Sequence, residues 1–203
     1  MSTKVAHAAE QKGDRDPLGR LLAARIRRER EARGWSVAAL AEASGVSRAM
    51  ISKVERAEAS PTAALLGRLS GAFGLTVSTL LSRAEGDGVG TRLTRVGEQG
   101  VWTDPETGYV RRALSPPGAD PELVIVELPP GAEVPYPPSS YAFLRGQSVW
   151  VLSGRLVVRE GAEALTLGTG DLLAFDLSSP RDCAFRNPSA AHPVRYLVAL
   201  ARR

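Results

Sequence analysis

SVAALAEASGVSRAMISKVER, residues 36–56, carries its small and apolar residues where two short helices crossing at a tight turn need them. Leu40 and Ala41 are placed to pack inward from the first helix, with Ala41 small because the second helix crosses there. Gly45 falls where such a turn favours positive φ, which glycine adopts without a Cβ clash. Ser47 is a natural N-cap, since its hydroxyl can accept from an unpaired N–H of the following turn. Val46, Ile51 and Val54 then supply the inner face of the second helix.

Working outward, the pattern stays helical from Pro17 to about Leu81, interrupted at Gly34, Gly45, Ala59-Ser60-Pro61 and Gly74, which predicts four or five short helices. Asp16-Pro17 supplies an N-cap followed by proline in the first turn, and Leu18, Leu21, Leu22 and Ile26 recur on one face. Residues 82–90, SRAEGDGVG, are polar and glycine-rich where the helical period disappears. Beyond them, short β-branched or aliphatic runs at 123–128, 148–152, 155–159, 172–175 and 195–200 are punctuated by glycine and proline, the signature of an all-β sandwich or barrel. The expected organisation is a flexible tail over 1–16, a helical domain over 17–82, a linker over 83–94 and a β domain over 95–203. The fold class is α + β with two domains.

Charge divides along the same line. Residues 1–84 carry 14 Lys+Arg and 8 Asp+Glu, against 12 and 14 in residues 85–203, so the halves are +6 and −2 and sum to +4. A basic domain joined to a slightly acidic one fits one partner that is a polyanion and another that is not. The one cysteine, Cys183, excludes an internal disulfide framework and fits a reducing compartment. No apolar run approaches the ~20 residues of a membrane span. The first sixteen residues lack the apolar centre of a secretory signal, so a cytoplasmic location is expected.

Together with Met50-Ile51-Ser52-Lys53-Val54-Glu55-Arg56, Ser60-Pro61-Thr62, Leu65, Leu69 and Phe73-Gly74-Leu75, the opening motif resembles the phage-repressor and Cro-like (XRE-type) helix-turn-helix regulators over roughly residues 17–82. The resemblance implies a five-helix, lambda-repressor-like domain binding double-stranded DNA. Its recognition helix, about residues 47–56, would lie in the major groove with its N-terminal residues nearest the bases. Ser47, Arg48, Ala49, Ser52 and Lys53 would face the duplex, Arg48 and Lys53 donating to guanine O6 and N7 or to phosphates. Val37 stands where the family commonly has a bracing glutamine. Ser36, just before it, offers hydroxyl or backbone N–H groups to a phosphate instead. Arg27, Arg28, Arg30 and Arg33 read as a solvated helix face rather than as DNA contacts.

In the second half, Pro129-Pro130-Gly131, Val149-Trp150-Val151-Leu152-Ser153-Gly154, Gly168, Gly170-Asp171 and Cys183 through Pro188 resemble, in that order, the cupin family, a small double-stranded β-helix barrel, over about residues 95–203. Metal-binding cupins use histidines and a glutamate. Here those places hold Tyr136-Pro137-Pro138-Ser139, Gln147 and Cys183, so the expectation is a barrel with no metal, no cofactor and no catalytic residues. What remains is a cavity for a small organic effector. Gln147, Val149, Cys183 and Phe185 would line it, with Tyr136, Tyr141 and Arg145 covering its mouth and Arg145 meeting any acidic group on the ligand. Regulators of this design are expected to be homodimers joined through their barrels on a near-palindromic operator. The competing reading is a metal-dependent, epoxidase-like or oxidase-like cupin enzyme with a vestigial helix-turn-helix domain.

Overall fold

A computed structural model describes residues 17–85, 93–116 and 118–202. The expected tail over 1–16 and most of the expected linker, 86–92, lie outside the described residues, as does the capping role of Asp16.

Five helices come first: α1 (Pro17–Ala32), α2 (Val37–Ser44), α3 (Arg48–Glu55), α4 (Ala63–Phe73) and α5 (Val77–Glu85). Local chemistry sets their ends. The Ser36, Ser47 and Thr62 hydroxyls accept from the backbone N–H of Ala39, Met50 and Leu65, closing the first turns of α2, α3 and α4. Gly45 and Gly74 end α2 and α4 in the left-handed region at φ 66° and 69°. Helix α5 runs to Glu85, three residues beyond the boundary expected at 82, because nothing in Ser82-Arg83-Ala84 breaks the helical ladder. Leu22, Ile26, Leu40, Ile51, Val54, Leu66, Leu69 and Leu80 are inaccessible to solvent and form the helical core.

Ten strands follow: β1 (Val101–Thr103), β2 (Val110–Ala113), β3 (Glu122–Leu128), β4 (Glu133–Tyr136), β5 (Leu144–Ser153), β6 (Arg155–Glu160), β7 (Glu163–Gly168), β8 (Leu172–Ala174), β9 (Cys183–Arg186) and β10 (Val194–Arg202). They form two antiparallel sheets, ordered β1-β2-β3-β10-β5-β8 and β4-β9-β6-β7. The five expected runs fall on β3, β5, β6, β8 and β10. The short strands β1, β2, β4 and β9, and the mostly exposed β7, have too little alternation to be read from sequence. Phe185 centres the sandwich, with the rings of Tyr136, Phe175 and Tyr196 at 6.0, 6.1 and 5.9 Å.

The helical unit is seated on the barrel. Ala63 at the start of α4 donates its N–H to Asp104 Oδ1 at 2.9 Å, so a β-domain carboxylate caps a helix of the other domain. Ser140 Oγ donates to the Gly67 carbonyl at 3.1 Å, and Thr76 and Thr79 donate to Glu122 Oε2 at 2.8 and 3.1 Å. Gly67 and Gly71 make the approach possible. A Cβ at Gly67 would stand 2.8 Å from the Tyr136 ring, and one at Gly71 would stand 2.8 Å from the Ser139 carbonyl oxygen. Among the described residues no single helix is long and apolar enough to cross a membrane; α4 and α5 together pass that test but bend by 90°.

Candidate functional site

The outer face of α3 is built from a cap and two charges. Ser47 holds the first turn, so the helix presents Arg48, Ala49 and Lys53 to solvent, with Ser52 half-buried beside them. The side chains of Arg48 and Lys53 make no hydrogen bond or ion pair among the described residues. Ser36 is exposed and its Oγ accepts from the Ala39 N–H, which leaves its O–H as a donor, while Val37 packs partly against the core.

Behind this face two arginines of α1, Arg30 and Arg33, are structural ties that neither a solvated face nor a DNA contact describes. Arg30 reaches α3 and donates from Nε and Nη2 to Glu55 Oε1 and Oε2 at 2.7 and 2.8 Å, and from Nη1 to the Trp35 carbonyl at 2.8 Å. Arg33 lies 5.0 Å over the Phe73 ring and donates to the Phe73 carbonyl at 2.6 Å. Arg27 pairs with Glu31 on the surface, as a solvated face requires. Because the Arg30–Glu55 fork is bidentate and largely shielded, Arg30→Ala leaves an unpaired carboxylate against the recognition helix. A stability loss of about 2–4 kcal/mol is expected, measured as a shifted urea midpoint.

Glu29 joins α1 to α5. Its carboxylate lies 2.8 Å from Arg25, 2.6 Å from Arg33 and 2.9 Å from Arg83. Burial pushes its pKa up, but hydrogen bonds from Arg33 and Arg83 outweigh that and hold it below the ordinary value. A depressed carboxylate contributes stability above its unfolded pKa of about 4.3, and that contribution is lost as pH falls through the folded value. Urea midpoints between pH 7 and 3 should therefore fall below about pH 4.3, with a shallower fall in Glu29→Gln.

The second feature is a cavity of about 60 Å³ inside the barrel, closed on one side by α4 and α5. Tyr136, Tyr141, Gln147 and Phe185 line it, as do Ser70, Thr76 and Val77 of the helical unit. The remaining expected ligand contacts lie elsewhere. Val149 is fully buried but outside the cavity wall, because it sits one pleat further along β5. Arg145 points to solvent and pairs with Asp120 at 3.0 Å; simple alternation would turn it inward with Gln147, but the register shift between Ala201 and Arg202, opposite Gly146 and Leu144, breaks the alternation and buries Leu144 instead. Cys183 lines a separate cleft between α4 and β9, with Arg68, Arg159 and Asp182. Burial pushes its thiol up to about 12, so it stays protonated and weakly nucleophilic.

The cation in the cavity is Arg111 of β2, which the sequence reading passed over: a lone arginine in a short, weakly patterned strand carries no signal of burial. It is 7% exposed. Arg111 Nε donates to Ser78 Oγ of α5 at 2.9 Å, Nη2 also contacts that hydroxyl, and Nη1 lies 3.3 Å from the Tyr109 hydroxyl. Burial raises the pKa of Tyr136, Tyr141 and Tyr196 well above the ordinary phenol value, so these hydroxyls remain protonated donors. The wall's polar groups are phenols, aliphatic hydroxyls, one amide and one guanidinium; with no imidazole or carboxylate lining it, it does not fit a divalent metal, which needs anionic or imidazole donors and would be repelled by Arg111.

Comparison with known proteins bears on both halves. Residues 26–80 match the helix-turn-helix family model HTH_3. The chain is 43% identical over 65 residues to the HTH-type transcriptional regulator SutR of Escherichia coli K12, a match covering 32% of this chain and 36% of that relative. It therefore spans about a third of that protein's length. The crystal structure of an HTH_3 family transcriptional regulator from Vibrio cholerae matches with a TM-score of 0.74 at 20% identity, covering 92% of this chain and 97% of that one, which establishes a shared fold across both units. Hydroxypropylphosphonic acid epoxidase from S. wedmorenis matches at a TM-score of only 0.46 and 16% identity, covering 90% of this chain and 97% of that one, too remote to bear on chemistry.

Proposed function

We propose, from the helix-turn-helix domain formed by residues 26–80, that this chain is a sequence-specific DNA-binding transcriptional regulator whose barrel binds a small organic effector without a metal. The observation that carries this reading is the exposed cationic face of α3, where Arg48 and Lys53 make no hydrogen bond or ion pair among the described residues. Two copies joined through their barrels would present two such helices to half-sites about one helical turn apart. Trp150 and Leu172, paired across β5 and the edge strand β8 and both well exposed, support a barrel-to-barrel contact. The cavity supports the effector role because α4 and α5 form part of its wall, so a molecule inside it touches the unit that carries α3. The enzyme reading has no support in the cavity's donors.

Selection of bound fragments from genomic DNA, followed by footprinting, tests the proposal. A protected, near-palindromic duplex with affinity that falls steeply with salt is the expected result. Absence of any protected duplex at modest ionic strength refutes it.

A further inference from the structure

We propose that the cavity beneath α4 and α5 binds a short-chain organic carboxylate, held by the Arg111 guanidinium with the Tyr141 hydroxyl as a second donor. Charge, hydrogen-bond capacity and size each point that way.

At the juncture of the two units Arg111 and Arg202 share one carboxylate, Glu122, at 4.0 and 3.7 Å. Glu122 is already engaged by Thr76 and Thr79. Two buried or half-buried guanidiniums against one anion leave a positive charge in a low-dielectric place, and Arg111 is the charged residue on the cavity wall. A guanidinium has five N–H donors. Three of them go to neutral hydroxyls, those of Ser78 and Tyr109, and Nη2 also faces Glu122, which leaves one Nη1 N–H for a ligand. The Tyr141 hydroxyl is wholly shielded and has no hydrogen-bond partner with satisfactory geometry, although the Cys183 thiol lies near it. An acceptor in this cavity would meet both the buried Tyr141 hydroxyl and the spare guanidinium N–H.

The volume sets the size. One water needs roughly 10–15 Å³ measured in the same way, so about 60 Å³ accommodates roughly four to six heavy atoms, the size of acetate, propionate or lactate. The wall also carries Val126, Leu144 and Val198, suited to a short alkyl tail. As effector chemistry the site rests on the regulator reading: the guanidinium that would hold the carboxylate is also the one bonded to Ser78 of α5.

The test uses the full chain and three probes, sodium acetate, propionate and lactate, against propionamide and sodium chloride. At about 10 mM probe and a Kd near 1 mM, a carboxylate should raise the melting temperature by roughly 3–5 °C, while the amide and chloride leave it unchanged. Titration calorimetry on Arg111→Met should show the affinity lost. Should that variant not fold, Tyr141→Phe decides the matter: it should melt higher than wild type in plain buffer, having shed an unpaired buried hydroxyl, yet bind the carboxylate at least about five-fold more weakly. Equal effects of carboxylate, amide and chloride, no effect from any of the three carboxylates, or unchanged affinity in either folded variant overturns the proposal. Footprinting on the same preparation separates the two readings. Carboxylate binding without a protected duplex removes the regulator and keeps the site, and a protected duplex without carboxylate binding does the reverse.

Discussion

Gly71→Leu is expected to lower the melting temperature by roughly 5–10 °C, the equivalent of about 2–3 kcal/mol in a chain of this size. Even a Cβ at this position would stand 2.8 Å from the Ser139 carbonyl oxygen, 3.0 Å from its carbon and 3.2 Å from the Ser140 nitrogen. All three are backbone atoms, so no rotamer change relieves the clash and α4 must move away from the barrel. The smaller change Gly71→Ala shows which effect wins. In a free helix it would stabilise by about 0.8–1 kcal/mol; against the barrel, overpacking of about 1–3 kcal/mol should reverse the sign. Hydrogen exchange locates the damage. The Ala63 N–H, bonded across the juncture to Asp104, should lose protection, while the Ile51 N–H, bonded to Ser47 within the helical unit, should keep it. A melting temperature that rises or stays level in Gly71→Ala would mean that the helical unit does not rest on the barrel in solution.

The second large effect concerns the duplex. Arg48→Ala should weaken operator binding by about 1–3 kcal/mol and relax preference at one base position if its contact is to a guanine edge. Lys53→Ala should weaken binding to all sequences alike and lower the salt slope by about 1 if its contact is to phosphate. Because both side chains are exposed and make no hydrogen bond or ion pair among the described residues, both variants should melt close to wild type, which separates lost contact from lost fold. Ser47→Ala would be a poorer probe, since the hydroxyl caps α3 and its loss costs about 1 kcal/mol of helix stability regardless of DNA. Unchanged affinity in both Arg48→Ala and Lys53→Ala would remove α3 from the recognition role.

Features that depend on near neighbours in the chain were legible from the residues alone. Gly45 in the left-handed region, Ser36 and Ser47 as caps, Ile51 and Val54 as the inner face of α3, and the shared buried face of Gln147, Val149 and Val151 all follow from helical and strand periodicity plus local hydrogen bonding. Helix α5 continues through the polar Ser82-Arg83 to Glu85, directly before Gly86, because polar residues alone do not end a helix.

What only the tertiary structure decided lies where residues far apart in the chain meet. Arg30 reads as surface until Glu55 arrives opposite it, Arg111 reads as an unremarkable strand residue until Ser78 closes over it, and Gly67 and Gly71 read as weak helix formers until a barrel turn presses on them. Periodicity reports which side of an element is buried, a property of the element itself. Which charge ends up inside a cavity depends on where a second element, dozens of residues away, comes to rest, so Arg145 and Arg111 could exchange roles without either strand's own pattern revealing it.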